Sequence, residues 1–237
     1  MRRSEHLLLL DTGDALKMGE GAESRTMGED IVAGMNLMGY DAMAIGPYEL
    51  ELGAQALRQR LAEAEFPMLS ANALWSGDNS YVGEPYTILQ VGSHRIGVIG
   101  LTRVPRDQFA GFSVLPPEDA LASLVPEVEE QADTVIVLTN LSYRSALDLA
   151  QAVPGIDLVV AALPRQLPDR AVRAAQTGAL LVTAEQALPR HAGRRVGKLE
   201  VVIESDGTLK DETWTSIAMG PEFVDDLAMS NLLSKYP

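Results

Sequence analysis

The sequence predicts an α/β fold in which strands and helices alternate through most of the chain and the C-terminal part turns antiparallel. Three observations carry this reading. Short apolar runs bounded by turn residues recur, among them "TVIVLT" (134–139) and "IDLVVA" (156–161). Runs of this length, rich in β-branched residues, read as strands buried on both faces. Between them apolar residues return at helical spacing, as at Leu121, Leu124, Val125 and Val128. Near the end, two looser alternating runs flank "SDGT" (205–208), the pattern of a hairpin.

In chain order, Leu7–Asp11 reads as a buried strand, followed by a Gly-bearing loop to about Gly28. That loop includes "GEGAES" (19–24), which lacks the Lys-Ser/Thr of a phosphate loop. Ile31, Val32, Met35 and Met38 mark a helix, Ala42–Gly46 a second strand, and Ala54–Ala64 a helix with Leu57 and Leu61 on one face. Phe66–Ala71, Tyr86–Val91 and Arg95–Leu101 are strands. A helix begins after Pro116-Pro117, where Glu118 and Asp119 suit the positive end of its dipole. Thr134–Thr139 is a central strand, Ser145–Ala152 a helix, and Ile156–Ala161 and Leu180–Thr183 are strands. Val196–Glu204 pairs with Thr213–Ala218, and Asp225–Ser234 closes the chain as a helix.

The 237 residues suffice for one domain with a substantial core. A formal charge of −14 repels phosphate backbones, which argues against a nucleic-acid partner. The absence of cysteine removes disulfides, thiolate metal sites and cysteine nucleophiles together. Leu7 to Leu10 is too short for a signal-peptide core or a membrane span, and no other segment approaches that length.

Ligands of open α/β sheets sit beyond the carboxyl ends of strands. Asp11, Asp14, Tyr48, Glu49, Asn72, Asn140 and Arg165 fall there. His6, His94 and His191 instead precede strands, the wrong end for one shared imidazole site.

The order of motifs then resembles a known family. "LLLLDTGD" (7–14), "GYDAMAIGPYELELG" (39–53), "FPMLSANAL" (66–74), "RIGVIGLT" (95–102), "ADTVIVLTNLS" (132–142), "GIDLVVAALPR" (155–165) and "GRRVGKLEVVI" (193–203) are similar to the 5′-nucleotidase branch of the calcineurin-like metallophosphoesterases. The resemblance implies a sandwich of two β-sheets flanked by helices, in one domain spanning residues 1–237, without the family's separate substrate-binding domain. It implies a site for two divalent metals, which polarise phosphate and generate a hydroxide nucleophile.

The residues depart from that pattern. The family's first motif, Asp-x-His on its first strand, would precede Met1, so the resemblance implies an open strand position: the chain has rearranged, a partner supplies a strand at the exposed edge, or the sequence is a piece of a longer polypeptide. Gly13-Asp14 keeps the bridging carboxylate. The family's Gly-Asn-His-Glu reads Gly46-Pro47-Tyr48-Glu49, its Ser-His-Leu-Gly reads Thr139-Asn140-Leu141-Ser142, and Leu163 and Arg165 stand where its last two histidines belong. Pro47 offers no donor atom and rigidifies the turn. Tyr48 packs its ring and solvates its hydroxyl. Glu49 and Glu51 form a solvated acidic edge, and Asn140 bonds local backbone as in a turn. Asp14 either makes an Asx-turn or a cap, or pairs with Arg165, whose guanidinium would replace the metal charge.

These readings give a vestigial site of Asp14, Pro47, Tyr48, Glu49, Asn140, Leu163 and Arg165, with Asp14, Tyr48, Asn72, Asn140 and Arg165 as ligand-binding candidates. The expected function is non-catalytic binding of a protein partner or small ligand, without a metal. Two alternatives stand beside it. One is a weak phosphoester hydrolase using Mn²⁺ or Zn²⁺ with Asp14, Tyr48, Asn140 and Arg165. The other is a structural subunit joined through the sheet edge. Members of the family are often exported, and the compartment is left open.

Overall fold

The computed structural model describes residues 6–16, 26–163, 170–183 and 195–236. The strands are β1 (Leu10–Asp11), β2 (Ala42–Ala44), β3 (Met68–Leu69), β4 (Ala73–Trp75), β5 (Tyr86–Val91), β6 (His94–Leu101), β7 (Phe112–Val114), β8 (Thr134–Ser142), β9 (Leu158–Leu163), β10 (Val172–Arg173), β11 (Leu180–Thr183), β12 (Arg195–Ile203) and β13 (Leu209–Ala218). The helices are α1 (Glu29–Met38), α2 (Pro47–Leu50), α3 (Ala54–Glu63), α4 (Pro117–Glu129), α5 (Tyr143–Ala152) and α6 (Leu227–Leu233).

Strand β8 is buried along its length up to Leu141. It is an inner strand of a six-stranded sheet with order β10-β11-β9-β8-β6-β5. The four inner strands run parallel, whereas β5 and β10 close the edges antiparallel. A second sheet, β1-β2-β3, is wholly parallel. The alternation of side chains sets what each face touches. Val135 and Val137 of β8 join Leu121, Val125 and Leu149 in a core beneath α4 and α5, while Ile136 and Leu138 face the other way. There they meet Ala42, Ala44 and Leu69 of the three-stranded sheet. Met43 points outward to pack with Val32, Met35 and Leu57 of α1 and α3. Helices thus cover the outer faces of two stacked sheets, the layering that the resemblance implied.

Small residues allow the close stacking. A Cβ at Gly100 of β6 would collide with the backbone of Leu69 in the facing sheet. The hairpin β12–β13 turns at 205–208, as the "SDGT" signal indicated, and lays Leu199, Val201, Ile203 and Trp214 against the core between the sheets.

Several boundaries differ from the sequence reading. The first strand is Leu10–Asp11 rather than Leu7–Asp11, and the third is Met68–Leu69 rather than Phe66–Ala71. Strands β4 and β7 pair with each other, and short helix α2 occupies "PYEL"; neither feature was anticipated. Runs of two to four residues carry no periodic signal, so pairing and capping create them. The loop at 19–24 lies outside the described residues. Among the described residues no helix is long and apolar enough to cross a membrane.

Gly100→Ala is expected to lower stability by about 1–3 kcal/mol through overpacking between the sheets, measured as a shift in the urea unfolding midpoint with an unchanged slope.

Candidate functional site

The parallel strands of both sheets bring their carboxyl ends together, as the sheet rule requires. Asp14 follows β1, Gly46 follows β2, Ser70 and Asn72 follow β3, Thr102 and Arg103 follow β6, and Asn140 lies in the last part of β8. His94 opens β6, and His6 lies against Gly92 in the turn before it, so both are at the opposite end. His191 and Arg165 lie outside the described residues, as does the side chain of Leu163, which ends β9.

Glu49 is the organising group. It was read as part of a solvated edge, yet it is fully buried. Oε2 accepts the N–H groups of Gly46 (2.6 Å) and Asp14 (2.9 Å), and Oε1 accepts those of Ala15 (2.8 Å) and Leu16 (2.9 Å). Gly13 (φ 87°) and Asp14 (φ 62°) both adopt left-handed backbone, and this turn aims three successive amides at one carboxylate. The result is a backbone anion nest filled from within. Glu49 therefore welds the β1 loop to the start of α2. Glu51 alone is left on the exposed surface.

Asp14 caps rather than making an Asx-turn. Its Oδ1 accepts the Tyr48 N–H (2.9 Å) at the first turn of α2. The Asx-turn belongs to Asp11, whose Oδ1 accepts the Gly13 N–H at 2.8 Å. Gly46 must be glycine, because a Cβ there would strike the Asp14 carboxylate and lie 2.7 Å from Asn140 Nδ2. Among the described residues, the cation that faces Asp14 is Arg103, with Nη2 3.8 Å from Oδ2; the expected Asp14–Arg165 pair lies outside them. At that distance and partial exposure the Asp14–Arg103 pair contributes roughly 0–1 kcal/mol. Sequence sorting by strand ends passed over Arg103, although "RIGVIGLTR" places it just after the β6 run; the same rule would have found it.

Asn140 is fully buried and bonds distant rather than local backbone. Its Oδ1 accepts the Arg103 N–H (2.7 Å), and its Nδ2 donates to the carbonyls of Thr12 and Ile45, each at 3.4 Å. Asn72, another ligand candidate, braces the fold instead. Its Nδ2 donates to the carbonyls of Thr102 and Leu115 (2.8 Å each), and its Oδ1 accepts the Thr102 N–H (2.8 Å). Thr102 Oγ1 continues the network to Ile45 O and Ser70 Oγ, both at 2.7 Å. Pro47 opens α2, where its missing N–H is harmless. The Tyr48 side chain is 43% exposed, so the residue contributes its amide rather than a packed ring.

The charges are crowded. Burial, and then the Asp14 carboxylate, push Glu49 up to about 8, with the surrounding amides pulling the other way. Burial raises Asp14 too, opposed by the Tyr48 amide and by Arg103. The described donors do not fit a dinuclear metal centre. Among the described residues no group of three or more His, Cys, Asp or Glu could hold a metal ion, and such centres need several ligands in fixed geometry. Asp14 is the one family-motif carboxylate among the described residues with an oxygen that is not already hydrogen-bonded to an amide.

An acid raised in the folded state favours folding most at low pH. For Glu49 that contribution is complete below 4.5 and lost as pH rises through about 8. Glu49→Gln turns an amide NH₂ toward two N–H groups and is expected to cost about 2–3 kcal/mol. The wild-type protein should lose stability relative to Glu49→Gln as pH rises from 4.5 through about 8, measured by denaturant unfolding of both proteins across that range.

No family model matches the chain. It is 35% identical to the 5′-nucleotidase of Bos taurus over 172 residues, which cover 68% of this chain and 30% of that protein. The crystal structure of a 5′-nucleotidase precursor from Thermus thermophilus superposes with a TM-score of 0.84 at 26% identity, over 99% of this chain and 50% of that one. The calcineurin-like phosphoesterase YfkN of Bacillus subtilis shares the fold with a TM-score of 0.74 at 20% identity, over 97% of this chain and 82% of that one. The chain thus spans about a third of the curated relative it matches. The 35% identity over 68% of this chain, with strand ends gathered on the Asp14 loop in a sandwich shared with the two solved structures, places the chain in the 5′-nucleotidase branch of the calcineurin-like metallophosphoesterases.

Proposed function

We propose that this chain is a non-catalytic member of its family, acting by binding rather than by phosphoester hydrolysis. One observation supports the reading above others: among the described family-motif residues, the polar groups are committed to the protein itself, apart from one oxygen of Asp14. Both oxygens of Glu49 are occupied by backbone amides, Asn140 is bonded through both ends of its amide, and one oxygen of Asp14 caps α2. A metal would have to displace these bonds, and Pro47 could not replace the lost donors. Arg103 places a fixed positive charge against Asp14, where a metal would otherwise supply it.

The resemblance to 5′-nucleotidases favours a second reading, a weak Mn²⁺- or Zn²⁺-dependent phosphoester hydrolase. An assay separates the two. With p-nitrophenyl phosphate and nucleoside monophosphates in excess Mn²⁺ or Zn²⁺, the expected outcome is no turnover above a protein-free control. Metal-dependent turnover that disappears in Asp14→Ala would establish the hydrolase instead.

A further inference from the structure

A pocket of about 220 Å³ lies beside β1, between α1 and α6. Its walls are mostly apolar, with Ile31, Met35 and Met38 from α1, Met229 and Leu233 from α6, and Tyr40 beyond α1. Two carboxylates, Asp11 and Asp30, also line it. Asp30 already accepts the Thr26 hydroxyl (2.7 Å). Asp11 gives Oδ1 to the Gly13 amide, and among the described residues no hydrogen bond or ion pair engages its Oδ2.

We propose that this pocket binds a small protonated organic amine, with its ammonium on the open carboxylate oxygen of Asp11 and its apolar body among the methionines. The site lies on the helix-covered face of the sheet, and the proposal does not depend on the non-catalytic reading of the Asp14 loop.

Five features support it. Asp11 is half-buried, and a carboxylate partly withdrawn from water is stabilised by a cation or a donor. An ammonium supplies both, in a charge-assisted hydrogen bond. Methionine side chains are flexible and polarizable, so three of them can close around an apolar body of varied shape. Gly34 also lines the pocket, in the middle of α1, with ordinary helical backbone. An alanine there would favour the helix and would meet Met229 Sδ at an ordinary 3.6 Å. Neither backbone nor packing therefore calls for glycine, and its lack of a side chain leaves the pocket open. Finally, a volume of about 220 Å³ is below the roughly 300–1,000 Å³ of drug-sized sites, which restricts the occupant to a small molecule. The chain's formal charge of −14 draws cations rather than anions toward it.

Titration of the whole chain with benzylammonium chloride tests this, with benzyl alcohol as the neutral control. Binding is read by calorimetry and by the ¹³C-methyl resonances of the nine methionines. The expected result is saturable binding of the amine, with shifts at Met35, Met38 and Met229 and no saturable response to the alcohol. Asp11→Asn keeps the acceptor for Gly13 but removes the charge, and should weaken binding by about tenfold or more. Gly34→Leu fills the space from the other side, leaves Asp11 in place, and should weaken it comparably. Equal affinity for the alcohol, unchanged affinity in Asp11→Asn, shifts confined to other methionines, or no saturation up to about 50 mM, a free energy of under roughly 2 kcal/mol, would each overturn the proposal.

Discussion

The arrangement of this protein's strand-end region depends on one buried carboxylate. Glu49 gathers three backbone amides from a loop 33 to 35 positions earlier in the sequence, and a fourth from Gly46 at the start of its own helix. Amides held in left-handed turns cannot pair with secondary structure, and burying them unpaired would be costly. An acid with two oxygens satisfies all four at once. The same arrangement has a cost, because a second carboxylate, Asp14, lies on the loop that Glu49 holds. Burial raises both acids, and their mutual repulsion adds to the rise at Glu49. The Tyr48 amide and Arg103 offset part of this on the Asp14 side.

That internal use of polar groups turns the side chains of the strand-end loops toward the protein itself. Glycines are present where side chains would collide, as at Gly46. The side chains that reach the centre serve as braces. Asn140 links β8 to the loops after β1, β2 and β6, and Asn72 links the end of β3 to the end of β6 and to Leu115. A network of this kind is strong when every member is satisfied and poorly suited to releasing donors to an incoming ion. Among the described residues, these strand ends are tied to one another by side-chain hydrogen bonds.

The sandwich explains why those strand ends meet at all. Alanines and glycine on the facing surfaces let the two sheets approach, while larger residues on the outer faces pack under helices. The parallel direction of the inner strands then delivers several loops to one end of the molecule. The pocket beside Asp11 arises from the same layering. Helix α6 crosses α1 at Gly34, and the missing side chain leaves a gap over the end of β1.

By itself the sequence determined the order and type of most elements, because periodicity is a local property. "TVIVLT" reads as a doubly buried strand and "SDGT" as a hairpin turn without reference to anything distant. Strand-end placement also brought Asp14, Glu49, Asn72 and Asn140 into consideration. The state of each of these residues was decided by tertiary structure. Glu49 looks like a surface acid within "GPYELELG", and only the loop 33 to 35 residues before it makes it a buried anchor. Asn140 looks like a turn residue, yet its partners lie 37 to 128 residues away. The choice of Arg103 as the neighbour of Asp14, and the pairing of strands as short as β4 and β7, belong to the same class. Hydrogen bonds and ion pairs between distant segments depend on distance and burial, which exist once the sheets have stacked and leave no periodic trace in the chain.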